Sequence, residues 1–257
     1  MSLFRLLAPA ILAATVALAP ASVSAQTFSD PQREEIHKII RDYLIEHPEV
    51  LEEASAELTR RQSAAEAAKQ ASMVKKHAET IFNSPRGVVV GNRSGDVNFV
   101  EFFDYNCGYC KRALSDMDEV LKEDKNVRFV LKELPILGPD SVEASHVAVA
   151  VKNQLQGAKY FDFHNKLMAV KGKVNAAKAL DIAKEAGADV AQLKKDMEAP
   201  ATKAAIADTV ALGDRLGLTG TPAFIVGDEI VFGAVGQAAL KAKIDSVRRC
   251  GKTDCAG

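Results

Sequence analysis

Residues 102–111 read Phe-Phe-Asp-Tyr-Asn-Cys-Gly-Tyr-Cys-Lys. The stretch closes an apolar, β-rich run over 97–103 and opens a helical pattern over 111–123. Cys107 and Cys110 therefore lie at a strand-to-helix junction. A cysteine at a helix start points its sulfur at free backbone N–H groups and the positive end of the helix dipole. That favours thiolate over thiol, which makes Cys107 the nucleophile and Cys110, one turn on, the shielded resolving thiol. A purely structural bridge here would close too small a loop to stabilise much. A zinc site would need a second pair, and Cys250/Cys255 could supply it only if the fold carried the tail to the junction.

Downstream, residues 127–131 read as the next strand and 140–216 as a block of helices over 141–155, 158–170, 176–186, 189–198 and 201–216. Phe224-Ile225-Val226 and Ile230-Val231-Phe232 flank Gly227-Asp228, a hairpin with a tight turn, and 237–249 is a last helix. With a short strand at 88–90, the order is β-β-α-β, helical block, β-β-α. This is an α/β plan carrying an inserted helical subdomain at about 139–216.

Upstream, residues 29–82 contain no Gly and are rich in Ala, Glu, Lys, Arg and Gln. Ser29-Asp30-Pro31-Gln32 is a helix start, and Ile36, Ile39, Ile40, Tyr43 and Leu44 recur at helical spacing. His47-Pro48 breaks that helix, and a second runs from Pro48 to about His77. Its near half continues the stripe with Val50, Leu51, Ala54 and Leu58; its far half is thin. One reading makes this segment a self-association arm with a helical spacer over 59–80. The other docks it as a hairpin on its own domain, because an amphipathic stripe does not name the surface it buries.

The first 25 residues carry one charge, Arg5, then an apolar stretch ending in Val23-Ser24-Ala25. They are expected to be a signal peptide cleaved after Ala25; as a membrane anchor the run is short and broken by Pro9 and Pro20. Removing it takes only Arg5 from 33 basic residues against 34 acidic, so there is no basic excess to suggest nucleic acid. An exported chain permits disulfides. The expected domains are the leader at 1–25, a helical oligomerisation arm and linker at 26–82, and a catalytic domain at 83–257.

Glu101, six positions ahead of Cys107-Gly108-Tyr109-Cys110, together with Thr221-Pro222 before a hairpin, resembles the thioredoxin fold, and the helical block resembles its DsbA-like branch. The ordered set of DYLIEHPEVL, FFDYNCGYC, ELPILGPDSVEAS and GTPAFIVGD resembles the suppressor-of-copper-sensitivity C family over nearly all of the mature chain. The resemblance implies a cis bond before Pro222, Thr221 beside the sulfurs, and Glu101 as a buried acid serving Cys110. From the residues alone, Thr221-Pro222 is equally a plain turn and Glu101 an edge-strand carboxylate.

Gly108-Tyr109 brings no positive charge between the cysteines, whereas a strong oxidant needs a very stable thiolate. With Thr before the proline it resembles the oligomeric periplasmic disulfide isomerases. The expected protein is thus a periplasmic disulfide isomerase or reductase acting on proteins with non-native disulfides. It would be reduced by a membrane-bound thiol reductase and assembled, as the family implies, as a trimer through residues 26–60, with no bound cofactor or metal. The alternatives are a DsbA-like dithiol oxidase and a copper(I)-binding protein using both sulfurs. His37, His47, His77, His146 and His164 are scattered without metal-ligand spacing, and no phosphate-loop motif occurs. Phe161, Phe163, Leu167 and Met168 are expected in the helical core, and Cys250 and Cys255 in a small tail disulfide.

Overall fold

A computed structural model describes residues 28–255, so the expected leader lies outside the described residues. The chain divides into two compact units, one ending at Leu58 and one beginning at Thr59.

The first unit holds helix α1 (Asp30–Glu46) and the start of α2 (Glu49–Lys76). The backbone N–H of Ser29 donates to Gln32 Oε1 at 2.9 Å, which satisfies one of the orphan donors at the start of α1. The break falls at His47-Pro48, where the pre-proline restriction puts it. No residue of α1 is buried. Ile39, Ile40, Tyr43 and Ile45, with Leu51 and Leu58 of α2, stand exposed.

The second unit starts earlier than the expected boundary at residue 83. The end of α2 and a short helix α3 (Ala78–Phe82), which sequence patterning missed, belong to its core rather than to a spacer. The reason is local: the alanine-rich face gives way to Met73, Val74, Ile81 and Phe82. Val74 and Ile81 are buried with Val100, Phe102, Val130 and Leu134.

The sheet is built from β1 (Val88–Gly91), β2 (Val97–Phe103), β3 (Val127–Glu133), β4 (Ala223–Val226) and β5 (Glu229–Phe232), in the order β1-β3-β2-β4-β5. β2 and β3 are parallel, with Phe99 opposite Phe129 and Glu101 opposite Leu131. Helix α4 (Gly108–Glu123) is the crossover such a parallel pair requires. The remaining pairs are antiparallel, and β4 sets Phe224 opposite Glu101. Five helices fill the inserted block: α5 (Pro139–Val151), α6 (Ala158–Met168), α7 (Ala176–Glu185), α8 (Val190–Glu198) and α9 (Pro200–Leu216). Helix α10 (Gln237–Cys250) ends the domain. Phe163, Leu167 and Met168 are buried in the core as the helical spacing indicates, with Phe161 packed against them.

Candidate active site

β2 is the middle strand and is followed at once by α4, so the CxxC sits at the carboxyl end of the sheet's centre. Cys107 is the N-cap of α4; its sulfur accepts from the Cys110 backbone N–H at 3.3 Å. α4 then buries Cys110, Ala113, Met117 and Val120, one apolar face at helical spacing. Cys107 is 5% exposed and Cys110 fully buried, both as free thiols.

The Thr221-Pro222 bond is cis. The turn brings the Thr221 carbonyl to 3.1 Å from Cys107 Sγ, where it accepts from the protonated thiol. Pro222 is held in turn, its carbonyl accepting from Gly233 N–H at 2.9 Å. The Cys110 side chain first, and after it Thr221 and the Cys110 and Tyr109 backbone N–H groups, outweigh burial and hold the Cys107 thiol down at about 6, against 9.0 ordinarily. Cys110 behaves oppositely. Burial, then its bond to Cys107 and the field of Glu101, push its thiol far up.

Glu101 lies beneath this pair on β2. It is 2% exposed, on a central strand, so the edge-strand reading falls. Its Oε1 has no hydrogen-bond partner. Burial, and after it the Cys107 charge, raise the carboxyl to about 8.

Sequence reasoning missed the residues that clamp the loop. Asp104 is fully buried: Oδ1 accepts from the Asn106 N–H and the Ser141 hydroxyl, and Oδ2 accepts from Leu137 N–H. Asn106 bonds Ser141 Oγ and exchanges two bonds with the Val174 backbone. The inserted block thus grips the active-site loop from two sides. The one sequence signal was Asp-x-Asn after a strand, an Asx-turn pattern. A second cluster lies deeper: Tyr105 Oη stands 3.2 Å from His164 Nδ1, and Tyr160 Oη donates to Glu133 Oε1 at 3.0 Å. Burial lowers the His164 imidazole to about 3, so it is neutral.

The rim is apolar and open. Tyr109 is 58% exposed, with the Arg112 guanidinium 4.9 Å over its ring, and Ile136, Leu137, Phe232 and Val235 are exposed as well. A cleft of about 540 Å³ abuts the helix start, lined by Asn106, Gly108, Lys111, Leu137, Pro139 and Gly172 among others. Lys111, which follows the motif, turns its ammonium to the Val170 and Gly172 carbonyls. Cys250 and Cys255 are joined to each other at the far end of α10. No group of three or more metal-ligating side chains occurs among the described residues.

The family described as the DSBA-like thioredoxin domain matches residues 99–245, and the copper resistance protein ScsC N-terminal domain matches residues 32–65. The chain belongs to the DsbA-like thioredoxin family and carries the ScsC N-terminal domain. A thioredoxin-like oxidoreductase from Silicibacter pomeroyi is 45% identical, over 67% of this chain and 98% of its own, with a TM-score of 0.63. The thiol-disulfide exchange protein alpha-DsbA2 from Wolbachia pipientis is 30% identical over 71% and 98%, with a TM-score of 0.66. Proteus mirabilis ScsC, in a transitional conformation, is 26% identical over 85% and 98%, with a TM-score of 0.62. The chain spans about a quarter of the length of the curated relatives it matches, among them the Na(+)/H(+) antiporter NhaA 1 of Salinispora arenicola, 29% identical over 163 residues. No helix of the described residues is long and apolar enough to cross a membrane. The DsbA-like family is one of thiol–disulfide oxidoreductases.

Proposed function

We propose that this protein is a periplasmic disulfide isomerase and reductase for proteins with non-native disulfides. The observation that carries this reading is the Cys107 thiol at about 6 with no cation between the cysteines. A strong oxidant such as DsbA holds its thiolate near a pKa of about 3.5, which makes its reduced form far more stable. A thiol at about 6 is ionised at neutral pH yet leaves a mixed disulfide without trapping the pair as a dithiol.

The Cys107 thiolate attacks one sulfur of a substrate disulfide. A Cys107–substrate bond forms, and the second substrate sulfur leaves as thiolate. In isomerisation another substrate thiolate attacks that mixed disulfide and Cys107 leaves unchanged, with no net electron transfer. In reduction Cys110 loses its proton and attacks Cys107. The substrate leaves as a dithiol and Cys107–Cys110 closes, which a membrane-bound thiol reductase must reopen. Glu101 is the group placed to take the Cys110 proton. Once Cys107 is in a mixed disulfide its charge is gone, so one of the two causes raising Glu101 disappears and carboxylate becomes easier to form. The exposed apolar rim suits unfolded substrate segments. The Thr221 backbone beside the sulfur suits pairing with an extended chain.

The uncovered stripe of α1 and the start of α2 supports self-association as a trimer, which would set several active sites around one substrate. The size of the mature protein, with and without residues 26–60, and refolding of a scrambled-disulfide substrate by both forms, test this. Loss of oligomer and of isomerisation together on truncation is the expected result. A monomeric full-length protein overturns the assembly. Failure to refold the scrambled substrate, with a strongly oxidising potential, would make the protein a dithiol oxidase.

A further inference from the structure

A second cavity, of about 540 Å³, opens at the β1 edge of the sheet and shares no lining residue with the cleft beside Cys107. Its wall carries Arg93, Arg128 and Lys152, and no acidic residue lines it. Among the described residues, none of the three makes an ion pair within 4 Å. A fourth cation, Lys132, is 3% exposed behind the wall: a Cβ built on the lining residue Gly87 would stand 3.7 Å from its Nζ. The protons these groups donate go to neutral acceptors. Lys132 bonds the Thr80 carbonyl, Arg128 the Phe82 carbonyl and the Asn98 side chain, and Lys152 the Pro85 and Arg86 carbonyls.

Those bonds hold the residues after α3 in place, but they leave the charge uncompensated. Arg128 is depressed from its ordinary value by burial and then by Arg93; Lys152 is depressed by burial, against a smaller pull from Glu133. Glu133 is the carboxyl whose field acts on Lys152 and Lys132; it is buried behind the wall, bonded by Tyr160 and raised by burial. Glu79 bonds the lining residue Asn83 but does not itself line the cavity. A chain with a formal net charge of −1 has thus gathered like charges around one concavity. Helix α6 adds to them. Gly157 is its N-cap and lines the cavity, so no capping side chain covers the first-turn N–H groups. Helix N-termini and guanidinium forks both suit tetrahedral oxyanions. The volume falls in the range of small-molecule sites, larger than one bare ion requires.

We propose that this cavity binds a phosphate-type oxyanion, carried either by a small phosphate ester or by a phospholipid headgroup. Binding of inorganic phosphate and pyrophosphate to the full-length protein by calorimetry, against chloride at equal ionic strength, tests the shared chemistry. Co-sedimentation with phosphatidylglycerol and phosphatidylcholine vesicles separates the sources. Arg93→Gln is the clean variant, since Arg93 is exposed and makes no hydrogen bond or ion pair among the described residues. Lys152→Gln is the second. Each is expected to weaken phosphate affinity about tenfold or more, by loss of a charge-assisted hydrogen bond. Alkylation of Cys107 should be unchanged in both. Saturable phosphate binding without vesicle binding assigns the site to a soluble ester. Sedimentation with the anionic vesicles alone, lost in both variants, assigns it to a headgroup. Binding no tighter than chloride, or equal affinity in Arg93→Gln, Lys152→Gln and the parent, overturns the proposal.

Discussion

The two cysteine pairs of this chain sit at opposite ends of helices, and that difference separates their chemistry. Cys107 caps the N-terminus of α4, where unpaired N–H groups and the positive end of the dipole favour a thiolate. Cys250 is the last residue of α10, where the carbonyl end disfavours one. The first pair is enclosed and reduced, over an acid and beside a cis-proline turn. The second is closed and exposed in part, with no acid or proline turn bonded to its sulfurs. Similar short spacings therefore yield a reagent in one place and a tether in the other.

The largest break in that comparison should come from the nucleophile. Cys107→Ala is expected to reduce dithiol-dependent turnover to the uncatalysed rate, and Cys110→Ala to accumulate mixed disulfide with substrate on non-reducing gels. Turnover that survives in Cys107→Ala would remove the distinction between the pairs.

Titration sharpens it. Alkylation of Cys107 by iodoacetamide should rise to half its maximum near pH 6, against 9.0 for the denatured chain. The sign for stability follows from proton counting. A depressed thiol binds fewer protons folded than unfolded between about 6 and 9, so its contribution is full above 9.0 and is lost as pH falls through about 6. Glu101 opposes it. Its raised carboxyl binds more protons folded than unfolded, so it weakens the fold as pH rises from 4.5 through about 8. Glu101→Leu should therefore stabilise the reduced protein at pH 8, by about 1–3 kcal/mol from removing an unsatisfied buried group. It should also lengthen the life of the mixed disulfide while leaving Cys107 alkylation nearly unchanged. Faster resolution in that variant would rule out proton acceptance by Glu101.

How much of this was legible beforehand depends on range. Cys107, Cys110 and the helix that orders them are local: a strand, a break and an amphipathic period specify them. The central position of β2, which turns Glu101 from a plausible edge carboxylate into a buried acid, depends on β4 arriving from more than a hundred residues away. The Asp104–Asn106 loop is clamped to Ser141 and Val174 in two later segments, and its Asp-x-Asn turn pattern does not announce those partners. The end of α2 misled for the opposite reason: its alanines and charges read as a solvated spacer, and only the short run from Met73 and Val74 to Ile81 and Phe82 of α3 marks the docking. Ser141→Ala tests the clamp. Losing a buried hydroxyl that donates to Asp104 and accepts from Asn106 is expected to cost about 1–3 kcal/mol in chemical denaturation. The Cys107 titration should broaden as the loop loosens; an unchanged denaturation midpoint would show the clamp to be idle.

The smallest effect belongs to the tail. Cys250 and Cys255 are five apart, and Gly251 at φ 77 supplies the left-handed turn between them. Closing so short a loop removes little freedom from the unfolded chain, about 2 kcal/mol in the chain-entropy picture. Even that is an upper bound for the fold as a whole, since the loop lies beyond the last helix and local fraying there need not propagate to the sheet. Cys250→Ser with Cys255→Ser should accordingly lower the unfolding free energy by about 2 kcal/mol or less and leave isomerisation and Cys107 alkylation as they were. A loss of turnover in the double variant, with the fold intact, would mean that the tail pair exchanges electrons with the CxxC, and the contrast between helix ends would no longer separate reagent from tether.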